Sequence, residues 1–203
     1  MARHGPEEIE RYWREQNPRR RALREQLDAR RLSYGIAVWN LTKEWNIGNL
    51  LRTANAFLAG EIILIGREEF DDTGSARIHR FERMHHVPDR EAFLRYADEQ
   101  DYETVAVEID PEAVPLPEFR YPRKPLFVLG SELEGLPLEF MESAQHKVMI
   151  PQYGLIPCLN VNISCSIVLY DYVTRTYPAL DPAPVEGAKY KRYLGSGRDQ
   201  PRG

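Results

Sequence analysis

Residues 157–164 read Pro-Cys-Leu-Asn-Val-Asn-Ile-Ser, and their reading decides the fold. They stand between a loop, Ile150-Pro151-Gln152-Tyr153-Gly154, and an apolar run from Ile163 to Val173. Asn160 therefore falls where a loop turns into a buried helix. Asn is a favoured helix cap, so this position alone is compatible with a purely structural role. Two other segments have the same character, with polar residues and glycines at strand-to-helix turns: Asn46-Ile47-Gly48-Asn49-Leu50-Leu51-Arg52 and Gly130-Ser131-Glu132-Leu133-Glu134-Gly135.

Working outward, Tyr34 to Trp39, Glu61 to Gly66, Thr104 to Ile109, Leu126 to Leu129 and Lys147 to Ile150 are short apolar runs of strand length. Between them lie helical patterns. Residues 46–58 carry apolar side chains at 47, 50, 51, 54, 57 and 58, which gives one buried face and a stop at Gly60. Asp89 to Gln100 is expected to be a helix capped by Asp89. Leu138 to Ala144 is a short one, and the last runs from about Asn160 to Arg175. Residues 67–88 are polar and mixed, and read as a loop. Unbroken apolar strands alternating with helices indicate an α/β domain whose mostly parallel sheet is covered by helices on both faces. Such sheets bind ligands at the carboxyl ends of their strands. Each of the three unusual loops follows a strand, so the three are candidates for one site.

The bulk composition agrees with this class. With 42% hydrophobic and 29% charged residues, the 203-residue chain suits one globular core with extensions. No apolar run reaches the roughly 18 residues of a membrane span. The start, Met-Ala-Arg-His-Gly-Pro-Glu-Glu, lacks the apolar segment of a secretory leader. Cys158 and Cys165 are the only cysteines, which makes a reduced, cytoplasmic setting the expectation. Net charge is −4, distributed unevenly: +3 over residues 1–31, −10 over 32–185 and +3 over 186–203. Basic ends around an acidic core can serve phosphate binding or can be solvated tails. Residues 7–31 read as helical with a break near Asn17-Pro18. Arg11, Arg14, Arg19, Arg20, Arg21 and Arg24 crowd that segment around Tyr12 and Trp13. Arginine with aromatics suits RNA contact, and equally a helix docked on a domain.

The chemistry of the three loops can be read one at a time. Asn46 can cap a helix, Gly48 and Asn49 leave its first N–H groups open, and Arg52 follows on the polar face. A helix N-terminus attracts anions and a guanidinium fork grips phosphate. In the Gly130–Gly135 loop the glycines permit close backbone approach to a ligand, but the spacing matches neither the dinucleotide fingerprint nor the P-loop. His79, His85 and His86 lack cysteine or paired carboxylate companions, so no metal is expected. The basic stretch Arg77 to Arg83 is a further candidate for RNA contact. Trp39 and Trp45 read as core or interface, and Cys165 as a buried small hydrophobe.

Three ordered stretches, NIGNLLRTANAFLAGEIILIG (46–66), LFVLGSELEGLP (126–137) and VMIPQYGLIPCLNVNISCSIVLYDY (148–172), resemble the SpoU/TrmH-like RNA ribose 2′-O-methyltransferases of the SPOUT superfamily. The resemblance covers roughly residues 34–175. It implies an α/β domain closed by a C-terminal deep trefoil knot, a rare exception to the usual topology rules. It implies a basic helical extension over 1–33, the methyltransferase domain over 34–176 and a basic tail over 177–203. It implies S-adenosylmethionine as cofactor, held by Leu129, Gly130, Gly135, Ile150, Cys158 and Leu159 with Glu132 nearby, and a homodimer with its site near the interface. The functional positions map onto Asn46, Arg52, Glu132 and Asn160. A guanidinium stays protonated near neutral pH, so Arg52 is expected to clamp the phosphate beside the target ribose rather than to act as a base. Asn46 and Asn160 would hold that geometry. Two positions depart from the family pattern: Cys158 stands where Ser is usual, and Asn162 where a small residue is common. With only about 33 residues before the core, tRNA is the expected substrate ahead of rRNA.

Overall fold

A computed structural model describes residues 18–40, 46–131, 135–155 and 158–181. They fall into two compact units: 32–178, and a smaller one to which 18–31 and 179–181 belong. In the smaller unit, α1 (Pro18–Asp28) is an arginine-rich helix, and Arg30 Nη2 donates to the Asp181 carbonyl at 2.8 Å.

The larger unit is the expected α/β domain. Its elements run β1 (Gly35–Asn40), α2 (Asn46–Ala56), β2 (Glu61–Gly66), β3 (Met84–Val87), α3 (Arg90–Glu99), β4 (Glu103–Val107), β5 (Val114–Pro115), β6 (Pro125–Leu129), α4 (Leu138–Ser143), β7 (His146–Met149) and α5 (Val161–Thr176). The seven strands form one sheet in the order β3-β2-β1-β6-β4-β7-β5. Every strand pair is parallel. All strands therefore end at the same edge, where the start of α2 and the described residues after β6 and β7 lie.

The sheet centre is apolar because both of its faces are covered. Ile62 to Ile65 and Leu126 to Leu129 are at most 2% exposed. Each such side chain contributes roughly 1.5–3 kcal/mol of burial. In α2 the apolar positions 47, 50, 51 and 54 are all buried, as the spacing requires. The helix stops in a left-handed residue at Leu58 (φ 57°), two positions before the glycine expected to end it. Asp89 caps α3 by accepting from the Ala92 N–H at 2.8 Å. In α5 one face, Cys165, Val168, Leu169, Tyr172 and Val173, packs inward.

The stretch 67–88, expected to be a loop, contains β3 at the sheet edge. Only Val87 of this strand is buried, so it lacks the apolar signature of the central strands. Its histidines are used locally. His85 stacks on Tyr96 with centroids 4.2 Å apart, and His86 Nε2 meets the Gly66 carbonyl at 2.7 Å. His79 Nδ1 meets Ser75 Oγ at 2.9 Å. Strand β5 is the other addition, hidden in the sequence by its proline. The helix expected over residues 7–17, and Trp45, lie outside the described residues.

Candidate active site at the carboxyl edge of the sheet

The three loops converge. Asn160 caps α5: its Oδ1 accepts from the N–H groups of Asn162 at 2.9 Å and Ile163 at 3.4 Å. Its Nδ2 donates to Asn46 Oδ1 at 3.0 Å. Asn160 thus starts a helix and ties it to the first turn of α2. Asn46, expected to cap α2, instead stands as the first helical residue, and its side-chain oxygen accepts from Asn160.

A second tie lies about two turns further along α2. Thr53 Oγ1 donates to Asn162 Oδ1 at 2.9 Å and lies 3.1 Å from Ser166 Oγ, while Ser166 Oγ donates to the Asn162 carbonyl at 2.7 Å. Thr53 directly follows Arg52, so the backbone carrying Arg52 is fixed to α5 by a polar cluster. Arg52 itself is exposed, and its guanidinium makes no hydrogen bond or ion pair among the described residues. A fixed stem with a free guanidinium suits capture of an anion.

Gly48 has a different task from the one its position suggests. It is buried, and a Cβ there would lie 2.8 Å from the Ser75 N and 3.1 Å from the Asp71 carbonyl oxygen. The first turn of α2 is therefore packed against the 71–75 segment rather than left open at this residue.

Beside Asn46 and Asn160 opens a cleft of about 280 Å³. Its walls are the end of β4 (Val107, Glu108, Ile109), the end of β6 (Leu129, Gly130, Ser131, with Gly135), the loop after β7 (Ile150, Gln152, Cys158, Leu159) and the start of α5 (Val161, Ser164). Gly130 and Gly135 make it possible. A Cβ on Gly130 would lie 2.0 Å from the Gly135 carbonyl carbon and 2.2 Å from the Leu136 N. Gly135 adopts φ +67°, which favours glycine, and exchanges two backbone hydrogen bonds with Ser131 at 2.9 and 3.0 Å. Glu108 holds this turn from below. Its Oε2 accepts from the Leu136 N–H at 3.1 Å and its Oε1 from the Ile109 N–H at 3.0 Å.

A family model described as the SpoU rRNA Methylase family matches residues 34–170. The chain belongs to this family. Among curated relatives, a tRNA (guanosine(18)-2′-O)-methyltransferase of Aquifex aeolicus is 28% identical over 159 residues, covering 75% of this chain and 74% of that one. A protein of the same description from Mus musculus is 26% identical over 138 residues, which are 65% of this chain but only 9% of the mouse protein. Of solved structures, the A. aeolicus TrmH/SpoU tRNA modifying enzyme superposes with a TM-score of 0.66 at 26% identity, covering 75% of this chain and 80% of that chain. The AdoMet-bound rRNA methyltransferase of Sinorhizobium meliloti gives 0.64 at 25% identity over 76% of this chain and 61% of that chain.

In this SpoU family member, the residues expected to hold the cofactor that are described (Leu129, Gly130, Gly135, Ile150, Cys158 and Leu159) all line the one cleft. Asn46 and Asn160 are in direct contact, with Arg52 on the same helix as Asn46. Glu132 lies outside the described residues. So do Arg11 and Arg14 and the side chain of Arg19. Arg21 forms an exposed ion pair with Glu25 at 2.9 Å, and Arg20 and Arg24 are half-buried. Glu108 and the contacts among Thr53, Asn162 and Ser166 shape the site and went unread in the sequence. Glu108 had a signal, since it falls at the end of an expected strand. The Thr53–Asn162–Ser166 cluster had none, because its members are 109 and 113 residues apart. Burial pushes the Cys165 thiol up to about 12, which marks it as an inert core group. Cys158 is exposed at the cleft. No helix among the described residues is long and apolar enough to cross a membrane.

Proposed function

We propose that this chain is an S-adenosylmethionine-dependent RNA methyltransferase that adds a methyl group to a ribose 2′-hydroxyl, with tRNA as its substrate. The observation that carries the reading is the convergence, in a SpoU family member, of the cleft, the Asn46–Asn160 contact and the free, exposed Arg52 at one edge of the sheet. The curated A. aeolicus relative supports tRNA and the ribose 2′-oxygen. The AdoMet-bound S. meliloti structure supports the cofactor.

The cleft fits that cofactor. Its volume is near the roughly 300 Å³ at which small-molecule sites begin, and its walls mix apolar side chains with backbone that folds closely on itself because Gly130 has no side chain. Leu129, Gly130, Gly135, Ile150, Cys158 and Leu159 would hold it, with Glu132 beside them. S-adenosylmethionine supplies an electrophilic methyl group on a cationic sulfur. Arg52 grips the phosphate next to the target ribose and so orients the 2′-oxygen in line with that methyl group. With the methyl group supplied by the bound cofactor, the 2′-oxygen would be placed to accept it, and the phosphate held by Arg52 or a water would take the hydroxyl proton. Arg52 itself remains a cation throughout. Asn46, Asn160 and the Thr53–Asn162–Ser166 cluster keep α2 and α5 in register, so alignment supplies much of the rate.

The same reading includes a C-terminal deep trefoil knot, supported by the match of residues 34–170 to the SpoU family model. It includes a homodimer. Ile163, Ile167 and Tyr170 form an exposed apolar stripe on α5, 49%, 36% and 63% accessible, and Tyr153 and Leu155 are almost fully exposed. It places the protein in the cytoplasm, with Arg11, Arg14, Arg19, Arg20, Arg21 and Arg24 adding RNA affinity that falls as salt rises. Mapping 2′-O-methylation in total RNA from cells with and without the gene tests it. One tRNA ribose methyl is expected to vanish. A lost rRNA or base methyl, or no change, would refute it.

A further inference from the structure

Glu108 is the one acidic side chain among the described residues that line the cleft. Both its oxygens are anchored, on the Leu136 and Ile109 N–H groups, so the carboxylate is held in place at the wall. Its Oε2 lies 2.8 Å from where a Cβ on Gly135 would stand, pressed against the glycine turn that shapes the cleft. Two N–H donors leave each carboxylate oxygen with spare acceptor capacity. A turn could be closed by any neutral acceptor. An anion fixed in a half-enclosed cleft also sets its electrostatic preference.

We propose that Glu108 makes the cleft discriminate by charge, favouring the cationic cofactor over the neutral-sulfur product. This rests on the cleft being the S-adenosylmethionine site. The reaction removes one positive charge from the bound molecule when the sulfonium becomes a thioether. A carboxylate in the wall attracts the first and is indifferent to the second, so it strengthens cofactor binding without slowing product release. Because Glu108 also holds the turn, general loosening of the cleft must be separated from loss of charge.

The experiment is calorimetric titration of the whole protein, as wild type, Glu108→Gln and Glu108→Asp, with three ligands. These are S-adenosylmethionine, S-adenosylhomocysteine, and sinefungin, which carries an amine in place of the methyl sulfonium. Glu108→Gln is expected to weaken the two cationic ligands about tenfold while S-adenosylhomocysteine stays within about twofold, and Glu108→Asp to keep the wild-type ratio. An equal fall for all three ligands would overturn the proposal and leave Glu108 as a turn anchor only. So would Asp behaving like Gln, or no change. If wild-type protein bound none of the three, the cofactor reading of the cleft would fall as well.

Discussion

The two edges of this sheet are built differently. At the edge where the strands begin, polar groups are paired and rings interlock. Glu61 accepts from both Tyr96 and Tyr102, at 2.6 and 2.7 Å. The Tyr34 hydroxyl donates to the Phe57 carbonyl at 2.9 Å, and the Tyr34 ring meets Tyr172 edge-on at 5.0 Å. Tyr121 donates to Asp171 at 2.6 Å. At the edge where the strands end, the backbone is folded tightly on glycines, a cleft is open and a guanidinium stands free. Parallel pairing permits this division, because the segments that follow strands all leave from one edge and those that lead into strands enter at the other.

Substitutions at the two edges should therefore separate activity from stability. The largest effect is expected at Gly130→Ala, where the new methyl would meet backbone atoms 2.0–2.3 Å away. Cofactor affinity measured by calorimetry should fall at least about a hundredfold, with loss of stability as the turn opens. Next is Arg52→Ala, which should lower kcat/KM for RNA by about a hundredfold while the melting temperature and cofactor affinity stay unchanged. Asn162→Ala should act through Arg52. We expect kcat to fall about fivefold and the KM for RNA to rise, with cofactor affinity within about twofold. Asn162→Ser, which keeps an acceptor oxygen on a shorter stem, should recover part of the loss. The smallest effect on activity is at the opposite edge. Tyr102→Phe should cost about 1–2 kcal/mol of stability in denaturant titration and leave the methylation rate as it was.

The closed edge also predicts a pH dependence. Burial first, and then the hydrogen bond to Glu61, raise the Tyr96 and Tyr102 hydroxyls well above their ordinary value near 10. A hydroxyl whose acidity is weakened in the folded state contributes stability that is complete below about pH 10 and fades as pH rises further. Wild-type protein should lose stability above pH 10, and Tyr102→Phe should lose less over that range.

What the sequence disclosed follows the same division. The central strands were legible because they are buried on both faces and thus apolar throughout, whereas β3 was not, since only Val87 of its four residues is covered. The loops of the site were legible because Gly, Asn and Arg at strand ends are locally unusual. Their resemblance to SpoU sequences then ordered them. Contacts made across long stretches of chain were not legible. Nothing in the sequence says that Thr53 meets Asn162, so Asn162, one of the two positions that depart from the family pattern, is accounted for only by the fold, which gives its amide oxygen a donor on the helix of Arg52. Gly48 teaches the reverse lesson, since a glycine at a helix start suggested an open anion site and turned out to be a packing contact.

The central claim is that the carboxyl edge transfers a methyl group to ribose with Arg52 holding the adjacent phosphate. Its most direct test is to incubate wild-type and Arg52→Ala protein with unmodified tRNA and methyl-labelled S-adenosylmethionine, then to digest the RNA and separate its nucleosides. Label is expected in a single 2′-O-methylnucleoside with wild-type protein, and at about one hundredth of that rate with the variant. Label in a base, or an Arg52→Ala rate equal to wild type, would contradict it.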